Sequence, residues 1–267
     1  MKFVKKNSWE KEWQETLREE GSYLRSRARK KESPLNEKLE EHIPDTLQST
    51  LDAAFNKAFA LIFEKGTGVI EKTYNREKAA AAAQDRHAAA RETGSRESLR
   101  AFRRGASLTA GKNLALSGVE GVGLGLLGIG IPDIPLFAAM ILRSLYAIAA
   151  DYGYGHDGLN EKLFQLKLIE AALSHGPDLR EKNQAIDRYI GLGRWEAGER
   201  LNDQIAATAA QLSGELLYMK FLQGIPLAGA VGGAYDVVYL RAIQRYGRIK
   251  YHKRFLLNQK NSPDFYQ

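Results

Sequence analysis

Residues 118–136 read Gly-Val-Glu-Gly-Val-Gly-Leu-Gly-Leu-Leu-Gly-Ile-Gly-Ile-Pro-Asp-Ile-Pro-Leu. Between Leu108 and Ile131 lie Gly111, Gly118, Gly121, Gly123, Gly125, Gly128 and Gly130. Each glycine inside a helix costs about 1 kcal/mol relative to alanine. A run of them calls for compensation, and close approach of two helix backbones supplies it, because no side chain holds the helices apart. Pro132 then breaks the helix, Asp133 is placed to cap the next one, and Pro135 sits in its first turn.

Working outward, residues 136–152 form an apolar helical run in which Arg143 is the only charge before Asp151. A second glycine cluster, from Gly224-Ile-Pro226 to Gly232 and Gly233, opens a helix to about Leu257 that carries Asp236 and Arg241. The shared scheme predicts that these two helices pack together. Leu47, Leu51, Phe55, Ala58 and Ile62 make a helical stripe widened by Phe59 and Phe63. Residues 75–92 are alanine-rich and charged and read as a solvent-facing helix or a mobile arm. Further helices are expected over 159–170, about 179–190 and 195–218, the last with Leu201, Ile205, Leu212 and Leu216 in line. Alternating strand patterns are absent. The fold class is all-α: one multi-helix, bundle-like domain with glycine-rich central helices. Its expected divisions are 1–33, an amphipathic basic extension; 34–257, the helical domain; and 258–267, a frayed tail.

The chain has 267 residues, 44% hydrophobic and 27% charged, which suits a globular domain rather than a disordered one. It has no cysteine, which excludes a disulfide framework, thiolate catalysis and thiolate metal sites. No apolar run follows Lys2, Lys5 and Lys6, so no secretory signal is expected. The nearest approach to a membrane span is Asn113–Leu142, interrupted by Glu120 and Asp133; a buried core is the preferred reading over a hairpin dipping into a bilayer.

Net charge is +7 and unevenly spread. Three basic clusters stand out: Arg25, Arg27, Arg29, Lys30 and Lys31; Arg96, Arg100, Arg103 and Arg104; and Arg245, Arg248, Lys250, Lys253 and Arg254. Each reads first as a solvated helix face. Familiar catalytic motifs fail on context. Gly123–Gly128 fits a dinucleotide fingerprint in spacing but lies inside a helical run with no preceding strand. Gly105–Lys112 is one residue too long for a P-loop and is followed by Asn113 rather than Ser or Thr. There is no Gly-x-Ser-x-Gly elbow and no His-Glu-x-x-His pair.

Ile131-Pro-Asp-Ile-Pro-Leu136, Leu142-Arg143, Ile148-Ala149, Tyr152-Gly-Tyr154 with Asp157, Ile43-Pro44 and Gly224-Ile-Pro226 with Gly232-Gly233 together resemble the EcsC family over roughly 35–257. Gly155 and His156 stand ahead of Asp157, a departure from the family's pattern. The resemblance implies association with a bacterial ABC transporter. It implies no catalytic residues, because the family has no established activity.

The candidate pocket residues are Asp133, Arg143, Tyr152, Tyr154, Asp157, Asp236 and Arg241. Ionisable groups beside apolar, glycine-rich helices must pair or face a cavity. Candidate membrane contacts are Trp9 and Trp13 beside Lys5, Lys6 and Lys11, with Arg25, Arg27, Arg29, Lys30 and Lys31. The expectation is a non-enzymatic accessory or regulatory protein, cytoplasmic and peripheral on the inner membrane face, with an anionic membrane surface or a transporter as partner. No cofactor, metal or nucleic acid is expected. The alternatives are a hydrolase, or a small-molecule or lipid-binding protein, using a pocket between the glycine-rich helices.

Overall fold

A computed structural model describes residues 2–28, 45–65, 76–93, 95–105, 134–155, 158–222 and 233–261. Every regular element among the described residues is a helix. We label them α1 (Lys2–Ser26), α2 (Asp45–Lys65), α3 (Arg76–Thr93), α4 (96–105), α5 (Ile134–Asp151), α6 (Leu159–Leu173), α7 (Gly176–Leu192), α8 (Leu201–Leu222) and α9 (Gly233–Lys260). The all-α reading holds. Both glycine clusters, at 106–133 and 223–232, lie outside the described residues.

At the centre is α5. Over its 18 residues the mean hydropathy is 1.5, long and apolar enough to cross a membrane by length and composition, and 72% of that window is buried inside the fold. It packs against α2, α3 and α9. The expected pairing of the helices that follow the two glycine clusters is therefore present as α5 on α9. At Gly247 of this contact, an added Cβ would lie 2.8 Å from Leu145 Cδ2. Leu145, Ile148, Ile243 and Tyr246 are fully buried there. The remaining layer is α6 against α8, α9 and α7, with α2 closing on α8.

The stripe expected on α2 is the one that turns inward, since Leu51, Phe55, Ala58, Phe59 and Phe63 are all buried. The alanine-rich α3 differs from its reading as a free face or arm. Ala83 and Ala90 are buried, Arg86 pairs with Asp151 at 3.2 Å, and the His87 ring meets Phe102 and Phe255. Alanine's small side chain lets this helix lie close on α5 even though its sequence has little apolar bulk.

A glycine-dependent turn ends α5. Tyr154 N–H donates to the Ala149 carbonyl at 2.9 Å and Gly153 N–H to the Ala150 carbonyl at 2.9 Å, the paired bonds of a Schellman cap. Gly153 has φ +77°, and a Cβ there would stand 2.9 Å from His87 Nε2. Both facts demand glycine between Tyr152 and Tyr154.

The residues expected as an extension contribute to the common core. Trp9 and Tyr23 of α1 are buried in it. The Trp9 indole donates to the Leu256 carbonyl at 2.9 Å, and the Tyr23 hydroxyl to the Ala172 carbonyl at 2.8 Å. At the other end, α9 runs on to Lys260, and Asn258 donates to the Tyr154 hydroxyl at 2.9 Å.

Candidate functional site

Two short helical ladders of opposite charge meet where α1 crosses α4. On α4, Arg96, Arg100 and Arg103 follow at i, i+4 and i+7; on α1, Glu12, Glu15 and Glu19 follow at i, i+3 and i+7. Those spacings put each set on one face. Glu15 takes Arg96 at 2.7 Å, Arg100 at 2.8 Å and Arg103 at 2.9 Å. Its hydrogen bond from Arg100, aided by Arg103, pulls its carboxyl down to about 2. Glu12 is fully buried. Burial works to raise its pKa, but the His252 ring nitrogen at 3.4 Å and the Arg103 charge prevail and leave it below the usual value.

Beside this ladder opens a cavity of about 560 Å³. Its lining is Arg245, Arg248, Ile249 and His252 of α9, Arg103 and Arg104 of α4, and Glu19 of α1. The α9 positions are i, i+3, i+4 and i+7, again a single face. Arg103 is committed to Glu12, Glu15 and Glu19. Arg104 and Arg245 are exposed and make no ion pair among the described residues. Arg245 instead lies 5.5 Å over the Tyr23 ring. Arg248 is half-buried, and burial, with the neighbouring Arg245 charge, lowers its guanidinium pKa despite the opposing influence of Tyr152 and Glu19. His252, 2% exposed, forms part of the wall between Glu12 and the ring of Tyr152, whose centroid is 5.7 Å away. Of the four arginines on the described lining, Arg104 and Arg245 are the two without an ion pair among the described residues. Guanidinium groups are always charged and bind carboxylate and phosphate through paired N–H donors.

The model of the EcsC protein family matches residues 9–256. The chain belongs to the EcsC family. No curated protein and no solved structure matches it. The family match starts at Trp9 and stops at Leu256, the two residues joined by the indole hydrogen bond 247 positions apart. It therefore begins inside the segment expected as an extension, and it takes in every residue lining the cavity.

Within the EcsC fold none of the expected pocket residues that are described lines this cavity. Asp133 and Asp157, and the side chain of Asp236, lie outside what is described. Arg143 is half-buried on α5, and Arg241 is exposed on α9. Tyr152 does not line the cavity; its ring is stacked between Phe102 (5.9 Å) and Tyr251 (6.4 Å), next to the wall residue His252. Tyr154 instead sits under Arg254, whose guanidinium lies 4.1 Å from its ring centre.

The expected membrane contacts divide as well. Trp9 is 4% exposed, stacked on half-buried Trp13 at 5.3 Å with Lys260 over its ring. Its ring packs into the domain, so contact between Trp9 and a lipid surface is not available in this conformation. Arg27 donates to the Leu173 and Ser174 carbonyls, closing the C-terminal end of α6. Arg25 is exposed, while Arg29, Lys30 and Lys31 lie outside the described residues.

The third basic cluster splits by face. Lys250, fully buried, and Lys253 are held by Glu20 and Asp187. Arg254 pairs with Glu161 at 2.6 Å. Arg245 and Arg248 line the cavity. Sequence reading registered both arginine clusters as charge. It had a usable signal in the i, i+3, i+4 and i+7 spacing of 245, 248, 249 and 252, but nothing local to show that this face would meet Arg103 and Arg104.

Proposed function

We propose that this EcsC-family protein is a non-enzymatic accessory protein that works at the cytoplasmic face of a membrane by binding an anionic group in the cavity between α1, α4 and α9. The observation that carries this reading is the lining itself. Arg104 and Arg245 border the same cavity as Arg248 and have no carboxylate partner among the described residues. Cations grouped without counter-charge repel one another, and an incoming anion relieves that repulsion. An assembly with an ABC transporter, which the family resemblance implies, is the kind such a protein would serve, and a lipid headgroup or an acidic segment would be the anion met there.

Vesicle flotation tests the reading. The intact chain should float with phosphatidylglycerol-containing phosphatidylcholine vesicles, remain in the dense fraction with phosphatidylcholine alone, and lose binding as salt rises. Equal flotation with both vesicle types, or none with either, would remove the anionic membrane from this proposal.

A further inference from the structure

A second cavity, of about 440 Å³, opens where α7 ends and the chain turns toward α8. We infer that it is a binding site for a small amphipathic carboxylate, one carboxyl group on an apolar body, separate from the cavity between α1, α4 and α9.

The turn that builds it depends on glycine. Gly193 takes φ +70°, and its N–H donates to the Tyr189 carbonyl at 2.8 Å, which ends α7. The chain then doubles back, and the Trp195 ring stacks on Tyr189 with centroids 4.1 Å apart and planes 11° from parallel. The Trp195 indole donates to the Asn160 carbonyl at 3.1 Å, tying the turn to the start of α6. The wall is thus held in place before a ligand arrives, which lowers the ordering cost of binding.

The lining divides into an apolar part and one unmatched charge. Leu192, Ala197 and the rings of Tyr189 and Trp195 form the apolar part. Leu192 is 67% exposed, so a large aliphatic side chain stands open to water beside the cavity. Arg188, Arg194, Glu196 and Glu199 are the charged residues of the described lining. Arg188 pairs with Glu196 at 3.3 Å, and Glu199 with Lys167 at 2.9 Å. Arg194 has no ion pair or hydrogen bond among the described residues.

A guanidinium presents paired N–H donors that match the two oxygens of one carboxylate. Glu196 and Glu199, on the same lining, oppose a second negative charge. The charges therefore select a monoanion, and the apolar wall selects one with a hydrocarbon or aromatic body. A pocket of mostly apolar walls with one orienting polar group is the usual form of a small-molecule site, and about 440 Å³ lies within the usual size range.

Calorimetry on the intact chain with five probes tests this: octanoate, acetate, octan-1-ol, octylammonium and octyl phosphate. Octanoate should bind at least about threefold tighter than acetate, the alcohol or the amine, and octyl phosphate no tighter than octanoate. Arg194→Gln and Leu192→Ser should each weaken octanoate about threefold or more, and Arg194→Gln should leave octan-1-ol unchanged. Both positions are exposed, so both variants should keep the wild-type circular dichroism. Should either unfold, the probe series on wild-type protein decides. Arg180→Gln, which removes an exposed charge on α7 that does not line the cavity, should bind octanoate as wild type. Equal binding of octanoate and octan-1-ol, tighter binding of octyl phosphate, or no binding of octanoate overturns the inference. So does octanoate binding that weakens in Arg104→Gln and not in Arg194→Gln, which would place the acid in the other cavity. The anion-binding reading of that other cavity stands or falls separately, on the vesicle experiment.

Discussion

Tyr152 is fully buried, and its hydroxyl has no hydrogen-bond partner among the described residues. Burial first, and the neighbouring Asp151 charge second, push its phenol far above the usual range, so it remains neutral. An unpaired buried hydroxyl costs free energy that a phenyl ring does not. Tyr152→Phe should therefore raise unfolding stability by about 1 kcal/mol, measured by urea denaturation. A loss of stability would show that the hydroxyl has a partner. Glu15 sets a second expectation. Its pKa falls from 4.5 unfolded to about 2 folded, so its contribution is complete above the unfolded value and is lost as pH drops toward 2. Urea midpoints should fall between pH 4.5 and 2.5, with a shallower fall in Glu15→Gln, whose side chain cannot titrate.

At the scale of elements, the contact of α5 with α9 depends on Gly247. A Cβ there would come within 2.8 Å of Leu145 Cδ2, and Leu145 is itself fully buried. Gly247→Leu should cost about 1–3 kcal/mol by overpacking, read from the same urea transitions. Gly214, on the other hand, has nothing within 4 Å of an added Cβ, so Gly214→Ala should gain stability from helix propensity. The sequence placed close helix contact at the two glycine clusters, at 106–133 and 223–232, which lie outside the described residues. The tight contact at Gly247 was not legible, because Gly247 is an isolated glycine in a charged stretch and only the partner helix gives it meaning. The apolar stripe of α2 was legible because it repeats along one helix. The docking of α3 was not, because a run of alanines looks the same whether it faces water or another helix.

For the whole molecule, α1 joins the two ends of the family match and is part of the core. It supplies Trp9 and Tyr23 to the apolar cluster, Glu20 to the buried Lys250 and Lys253, and the acidic ladder to α4. Removing Glu20 takes a partner from a fully buried ammonium, a change of the kind that costs about 3–5 kcal/mol. A chain lacking residues 1–28 should accordingly lose cooperative thermal unfolding by circular dichroism. A truncated protein melting as sharply as the full chain would restore the view of this segment as an appendage. The same packing assembles the cavity, since Glu19, Arg103 and Arg248 come from three helices spread across the chain.

What the amino-acid sequence determined by itself is the helical content, the inward face of α2, the apolar character of α5, and an excess of positive charge. These depend on neighbours three or four residues apart, which hydrophobic period and helix-breaking residues report directly. Tertiary structure alone decided which arginines are neutralised and which are left to face a cavity. Arg100 and Arg103 meet glutamates 88 positions away, Lys250 meets one 230 away, and Arg104 and Arg245 meet none among the described residues. Charge is carried by single residues, but its compensation is a property of packing, and packing brings together residues that the local pattern cannot relate.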